Sequence, residues 1–309
     1  MPMPLSFRLS RITGSFLVLL LIIATSGCNF GGGGNPTPQG TTSLYVSPTK
    51  NNVNDCLSPA TACQMINTAL SKAVDGDTIF VAPGTYPEQV AIGKNITITG
   101  TGSQPSAVVI DGQQQYQVLA AGCLACTKVI SVSNLTIQNG SAPSKGGFSG
   151  AAGVTVDGAT LVMSKVVIQN NMAGPGTMGI GGGVFITGNA KLNISDSMIS
   201  GNSTSNDKTN GDFYNGMGGG IYNMGSLIIN NVTISNNTSQ NSGGGLYNAK
   251  GGHADLSGAV IENNQSKSGG GRMAVAGSTV PPRFLYKVEQ SRTIRLKTEA
   301  VCTAPARQP

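Results

Sequence analysis

Tryptophan is absent from this chain, aromatics make up 5% of it, charged residues 10%, and His253 is its single histidine. Each shortage excludes something. Few large aromatics argues against a conventional globular core, which draws much of its buried area from them. One histidine leaves a zinc site at Cys123 and Cys126 short of two ligands, so no metal is expected. The apolar run at 16–24, FLVLLLIIA, has nine residues, too few to cross a bilayer as a permanent helix. Low charge does not signal disorder here, because the chain is rich in β-branched residues.

The formal charge of +6 also excludes less than it suggests. Seven of the 19 basic side chains follow Gly271 alongside two acids, and residues 1–271 carry 12 basic and 11 acidic groups. The body is close to neutral and shows no basic stripe, so no nucleic-acid partner is expected.

What the chain does have is glycine, 44 residues of it, set in a repeated phrase. GGGVFI (Gly181–Ile186), GGGIYN (Gly218–Asn223) and GGGLYN (Gly243–Asn248) each lead into a hydrophobic stretch. The closing phrases are IQNN, ISGN, ISNN and IENN, ending at Asn171, Asn202, Asn237 and Asn264, with an earlier relative, IQNG, ending at Gly140. The anchoring isoleucines 137, 168, 199, 234 and 261 are 31, 31, 35 and 27 residues apart. A repeat of this length with no helical apolar period predicts an all-β solenoid of stacked coils over 79–271. Asn171, Asn202, Asn237 and Asn264 fit an internal ladder in which each amide bonds the next coil. As surface turn residues they would look the same in sequence.

The N-terminus reads as a targeting segment over 1–27, with Arg8 and Arg11 ahead of the apolar run. Thr25-Ser26-Gly27-Cys28 resembles a bacterial lipoprotein lipobox, with Thr25 where that family usually has Leu. The resemblance implies lipid on Cys28, a Gly/Pro-rich tether over 28–40, and an extracytoplasmic, membrane-anchored protein. Export permits disulfides. Cys56 and Cys63 flank a turn-rich stretch and suit a local bridge; Cys123 and Cys126 suit either a bridge or two buried thiols. Residues 41–78 read as a capping module, in which a helix sets Ala62, Ile66, Ala69, Leu70 and Ala73 on one face.

The glycine phrases and spaced I-x-x-N look like the paired repeats of bacterial right-handed parallel β-helix surface proteins, including chlamydial-type polymorphic outer-membrane proteins. There the second element is F-x-x-N; here Ile replaces Phe. DCLSPATAC and AVDGDTIFVAPGTY, with the helix between them, look like the start of pectin-lyase-like β-helix proteins. The implied fold is a right-handed parallel β-helix with an N-terminal capping helix, spanning about 41–271. Such folds host lyases, hydrolases, adhesins and scaffolds. After Gly271 the repeat stops in mid-phrase, and 272–309 reads as an irregular basic tail from a frameshift or truncation.

Lyases and hydrolases on this fold hold clustered carboxylates on adjacent coils. Aligned repeats carry Lys165, Asp196, Asn231 and Gly258 in one column and Asp157, Thr187, Met224 and Ala249 in another. No two acids stack, so no catalytic residue is assigned; Asp157, Asp196 and Asp255 read as turn or surface residues. The larger insertions, at 141–150, 172–180 and 203–217, all precede a glycine corner, and insertions on one edge mark a functional side. In the longest, Asp207, Asp212, Phe213 and Tyr214 suit stacking on a sugar ring and bonding its hydroxyls. The leading expectation is a non-catalytic surface protein that binds glycans or neighbouring surfaces, without a cofactor. The alternative is a polysaccharide lyase or glycoside hydrolase, the lyase with calcium; a relic without function is a third reading.

Overall fold

The computed structural model describes residues 41–122, 127–142, 150–174, 179–205, 216–267, and the backbone of strands at 273–275 and 293–297. The expected sites at Cys28, Cys123, Cys126, Asp207, Asp212, Phe213 and Tyr214 lie outside these residues. The described chain is a right-handed parallel β-helix made of three sheets. The long sheet runs from Ser43–Val46 through Thr78–Val81, Ile96–Gly100, Val129–Gln138, Thr160–Gln169, Lys191–Ser200 and Ser226–Ser235 to His253–Ser257. The corner sheet stacks Val90–Ile92, Leu119–Gly122, Val154–Asp157, Val184–Ile186, Ile221–Asn223, Leu246–Asn248 and Met273–Val275. A short sheet stacks Met172–Ala173, Ser203–Thr204, Thr238–Ser239 and Gln265–Ser266. Each full coil visits corner, long and short sheet in turn.

The register explains the repeat. Ile137, Ile168, Ile199, Ile234 and Ile261 are successive partners in the long sheet, and all are buried. The core is a set of such one-residue-wide rows, for example Ile98, Val132, Met163, Ile194, Ile229 and Leu256. Burying each aliphatic side chain contributes about 1.5–3 kcal/mol, so thin rows substitute for a bulky aromatic centre.

Two corners are set by left-handed backbone. Asn134, Lys165, Asp196, Asn231 and Gly258, with φ between 47° and 60°, bend the long strands. Asn139, Asn170, Gly201, Asn236 and Asn263, with φ between 52° and 64°, turn the chain into the short sheet. Left-handed conformation costs most residues about 1–2 kcal/mol, and Asn, Asp and Gly less, which accounts for both columns except at Lys165. Asp196, expected at a turn or the surface, occupies this bend, and its Oδ1 accepts from Asn231 Nδ2 at 2.7 Å.

Immediately after the second corner comes the asparagine column. Asn171 Nδ2 donates to Asn202 Oδ1 at 2.9 Å, Asn202 Nδ2 to Asn237 Oδ1 at 3.0 Å, and Asn237 Nδ2 to Asn264 Oδ1 at 3.0 Å. The same oxygens accept the backbone N–H of Asn171, Asn202 and Asn237, and Gly140 N donates to Asn171 Oδ1. Each Nδ2 also reaches an isoleucine carbonyl one coil back: Ile137, Ile168, Ile199 or Ile234.

The second glycine of each triplet meets backbone. A Cβ on Gly182 would lie 2.4 Å from Ser203 O and 2.5 Å from Gly219 O, and Gly219 and Gly244 are as crowded. At the other end of the chain, the helix is Ile66–Lys72, and Ile66, Ala69 and Leu70 join the same core as the strands. Cys56 and Cys63 form a disulfide with Cα atoms 4.9 Å apart. Within 272–309, where an irregular tail is expected, Met273–Val275 extends the corner sheet and Thr293–Lys297 pairs antiparallel with His253–Ser257. Both cover strand edges that the last coil would otherwise leave open.

Two substitutions test this packing. Asn202→Ala strands several buried donors and acceptors and should cost about 3 kcal/mol by denaturant unfolding, against less than ~0.5 for exposed Asn189→Ala. Gly182→Ala should cost about 3 kcal/mol through overpacking, whereas Gly93→Ala, with nothing within 4 Å of the new Cβ, should be within ~0.5 kcal/mol of neutral.

Candidate functional site

In GGGVFI, GGGIYN and GGGLYN the residue after the triplet points inward and the next points outward, as strand alternation requires. The outward positions are Phe185, Tyr222 and Tyr247, successive partners in the corner sheet. Phe185 and Tyr222 ring centroids are 5.7 Å apart and tilted by 59°; those of Tyr222 and Tyr247 are 5.2 Å apart and stacked at 23°. The first glycine of each triplet, with φ of 62°, 66° and 67°, lies against the aromatic four residues on. A Cβ on Gly181 would come 3.1 Å from Phe185 Cβ, and one on Gly243 2.7 Å from Tyr247 Cβ. The phrase G-G-G-x-[F/Y] is therefore a seat for an outward ring as well as a corner.

Phe185 and Tyr222 are buried and Tyr247 is half-buried, packed with Ala151, Ile180, Met217 and Ala249. Ile180 and Met217 stand at the bases of the insertions 172–180 and 203–217, and they bridge each other in parallel. Gly216 N donates to Gly179 O at 3.1 Å and Asn241 N to Gly216 O at 2.8 Å, so the insertion bases stack like the coils beneath them. The insertions thus emerge beside the aromatic column. Asp207, Asp212, Phe213 and Tyr214 belong to the longest of them.

The acids of the described coils are dispersed. Asp157 Oδ1 accepts from Thr187 Oγ1 at 2.9 Å. Asp255, expected at a turn or the surface, lies in strand His253–Ser257, where its Oδ2 is 3.3 Å from His253 Nε2. Among the described residues no three histidine, cysteine or carboxylate groups gather to hold a metal.

A pocket of about 200 Å³ opens in the N-terminal module, lined by Pro48, Gln64, Met65, Thr85, Tyr86, Pro87 and Glu88. Its polar groups serve the fold. Glu88 is buried, with Oε1 accepting from Ile66 N at 2.7 Å and Oε2 from Asn67 N at 2.9 Å, so it closes the first turn of the helix. Burial pushes its carboxyl above the usual carboxylate range, against the pull of those two amides. Tyr86 donates its hydroxyl to Ala82 O at 2.7 Å. Sequence reasoning missed Glu88, because its helix partners lie over twenty residues earlier with no local pattern joining them. It also missed Asn223 and Asn248, a second buried amide pair linked Nδ2 to Oδ1 at 2.6 Å. Their signal was present as the last letter of two glycine phrases.

No protein-family profile and no curated protein sequence matches the chain. Among solved structures, it is similar to pectin methylesterase PemA from Erwinia chrysanthemi at a TM-score of 0.37 and 12% identity, over 78% of this chain and 91% of that one. It is similar to pectate lyase Pel9A at a TM-score of 0.31 and 12% identity, over 81% and 79%. It is also similar to Escherichia coli YbhC at a TM-score of 0.40 and 13% identity, over 79% of this chain and 74% of that one. The assignment as a right-handed parallel β-helix stands on the stacked sheets and their register.

Proposed function

We propose that this is a lipid-anchored, extracytoplasmic β-helix that binds glycans without cleaving them, along the edge where its insertions emerge. The observation that carries the reading is the half-buried Tyr247, the accessible ring of the column Phe185–Tyr222–Tyr247, beside the stacked insertion bases Ile180 and Met217. An aromatic face suits the apolar face of a sugar ring, and buried Tyr222, stacked on Tyr247, fixes the orientation of that ring. Asp207, Asp212, Phe213 and Tyr214 would bond and stack from the longest insertion. The dispersed setting of Asp157, Asp196 and Asp255 favours binding over acid–base cleavage. The anchor rests on Arg8, Arg11, the apolar run at 16–24 and the lipobox-like Thr25–Cys28.

The full-length chain in mild detergent is to be titrated with acidic and neutral polysaccharides, with and without calcium, following both binding and new chain ends. Saturable binding without new ends is expected, weakened about tenfold by Tyr247→Ala, a loss of ~1.4 kcal/mol. New chain ends would establish the lyase or hydrolase reading instead, and no binding to any polymer would overturn the proposal. In a bacterial host, wild type should incorporate labelled fatty acid and remain with membranes, and Cys28→Ser should do neither. Label retained by Cys28→Ser would overturn the anchor.

A further inference from the structure

Among the described residues, the first strand of the long sheet, Ser43–Val46, has one strand neighbour, Thr78–Val81. Its other side faces outward from the stack and carries the N–H and C=O of Tyr45 and the N–H of Ser47. These groups are taken up by two residues. Tyr45 N donates to Cys56 O at 2.8 Å, Cys63 N to Tyr45 O at 2.9 Å, and Ser47 N to Cys63 O at 2.8 Å. Cys63 also makes an isolated parallel bridge with Val46. The two residues whose backbones occupy this edge are the two whose side chains form the disulfide. Cys56 sits there at φ 66°, a left-handed conformation that non-glycine residues rarely adopt.

Edge strands that stay single usually carry a charge, a proline or a bulge of their own. Ser43-Leu44-Tyr45-Val46 has none of these. Leu44 and Val46 point into the core, and Tyr45 stacks on Phe80 with ring centroids 5.5 Å apart. The strand is uncharged and rich in β-forming side chains, so its protection falls to the loop. We propose that this edge is a self-association surface for a second copy of the chain, kept closed by the Cys56–Cys63 loop. When the bridge is absent, Cys56 keeps its N–H bond to Thr61 O at 3.0 Å but loses the covalent tie to Cys63; the loop then leaves the edge, and Tyr45 and Ser47 pair with the same strand of a second copy. The pairing is antiparallel about a two-fold axis, as an uncharged, self-complementary edge permits. This inference is independent of the glycan reading.

The test compares full-length wild type with Cys56→Ser/Cys63→Ser in the same non-ionic detergent, which masks the apolar run at 16–24 in both. Sedimentation velocity over a hundredfold concentration range reads association, and far-UV circular dichroism reads the fold. The double variant should keep its β-sheet spectrum and dimerise at least tenfold more tightly than wild type. Adding Tyr45→Lys, at a half-buried outward position, should reverse the gain by placing charge on the edge. A folded double variant that sediments like wild type would overturn the proposal. So would association indifferent to Tyr45→Lys, which places it elsewhere on the molecule. Loss of the β-sheet spectrum would overturn it as well, because the bridge would then hold the fold rather than guard its edge.

Discussion

Stacking in register is the constraint from which the rest of this molecule follows. Each coil lies one strand spacing, ~4.8 Å, from the next, so every side chain meets the residue at the same position one coil away. An aliphatic residue satisfies that condition trivially, and the rows of Ile, Val and Leu do so. A buried polar residue satisfies it only if it donates in one direction and accepts from the other. A carboxylate cannot, since it only accepts and would face its own charge. The asparagine amide can, and in the column from Asn171 to Asn264 each Nδ2 donates to the next Oδ1 while that oxygen also takes a backbone N–H. The sharp corner that a narrow coil needs would otherwise bury orphaned peptide groups, each costing about 1–3 kcal/mol.

The same constraint links the glycine phrases to the candidate site. Backbones that converge at a corner leave no room for a Cβ, and Gly182, Gly219 and Gly244 meet neighbouring carbonyls directly. The first glycine of each triplet clears space for an outward ring, and stacking turns one ring per coil into a column. A structural requirement and the aromatic column therefore come from one six-residue phrase. The insertions enter beside it, and their bases stack through Ile180 and Met217.

The period was legible because stacking makes it so: a residue and its partner are a fixed count apart, and Ile137 to Ile261 display that count directly. What escaped were features whose partners are not one repeat away. Glu88 reaches back to a helix, and the Cys56–Cys63 loop reaches sideways onto Tyr45. Asn223 and Asn248 escaped for a different reason, since beside glycines an asparagine reads as a turn residue. Lys165 and Asp196 share a column with Asn134, Asn231 and Gly258; only the backbone shows that the column is a left-handed bend. The charge pattern alone suggested a surface.

Three of the rows also change along the axis. In the long sheet one inner row runs Ile96, Ile130, Leu161, Leu192, Leu227 and then Ala254. In the corner sheet the inner row Ile92, Ala121, Val156 and Ile186 gives way to Asn223 and Asn248. In the short sheet Ala173 stacks on Thr204, and Ser239 on Ser266. All three rows lose apolar area toward the last coils, and in a stack whose stability is a sum of neighbour terms that loss is local. Other rows keep their aliphatic members there, ending in the buried Leu246, Leu256 and Ile261. The bonded amide pair and the antiparallel strand on His253–Ser257 offset part of the deficit. The asparagine column ties these coils to the rest, so its buried amides matter most where the aliphatic rows contribute least.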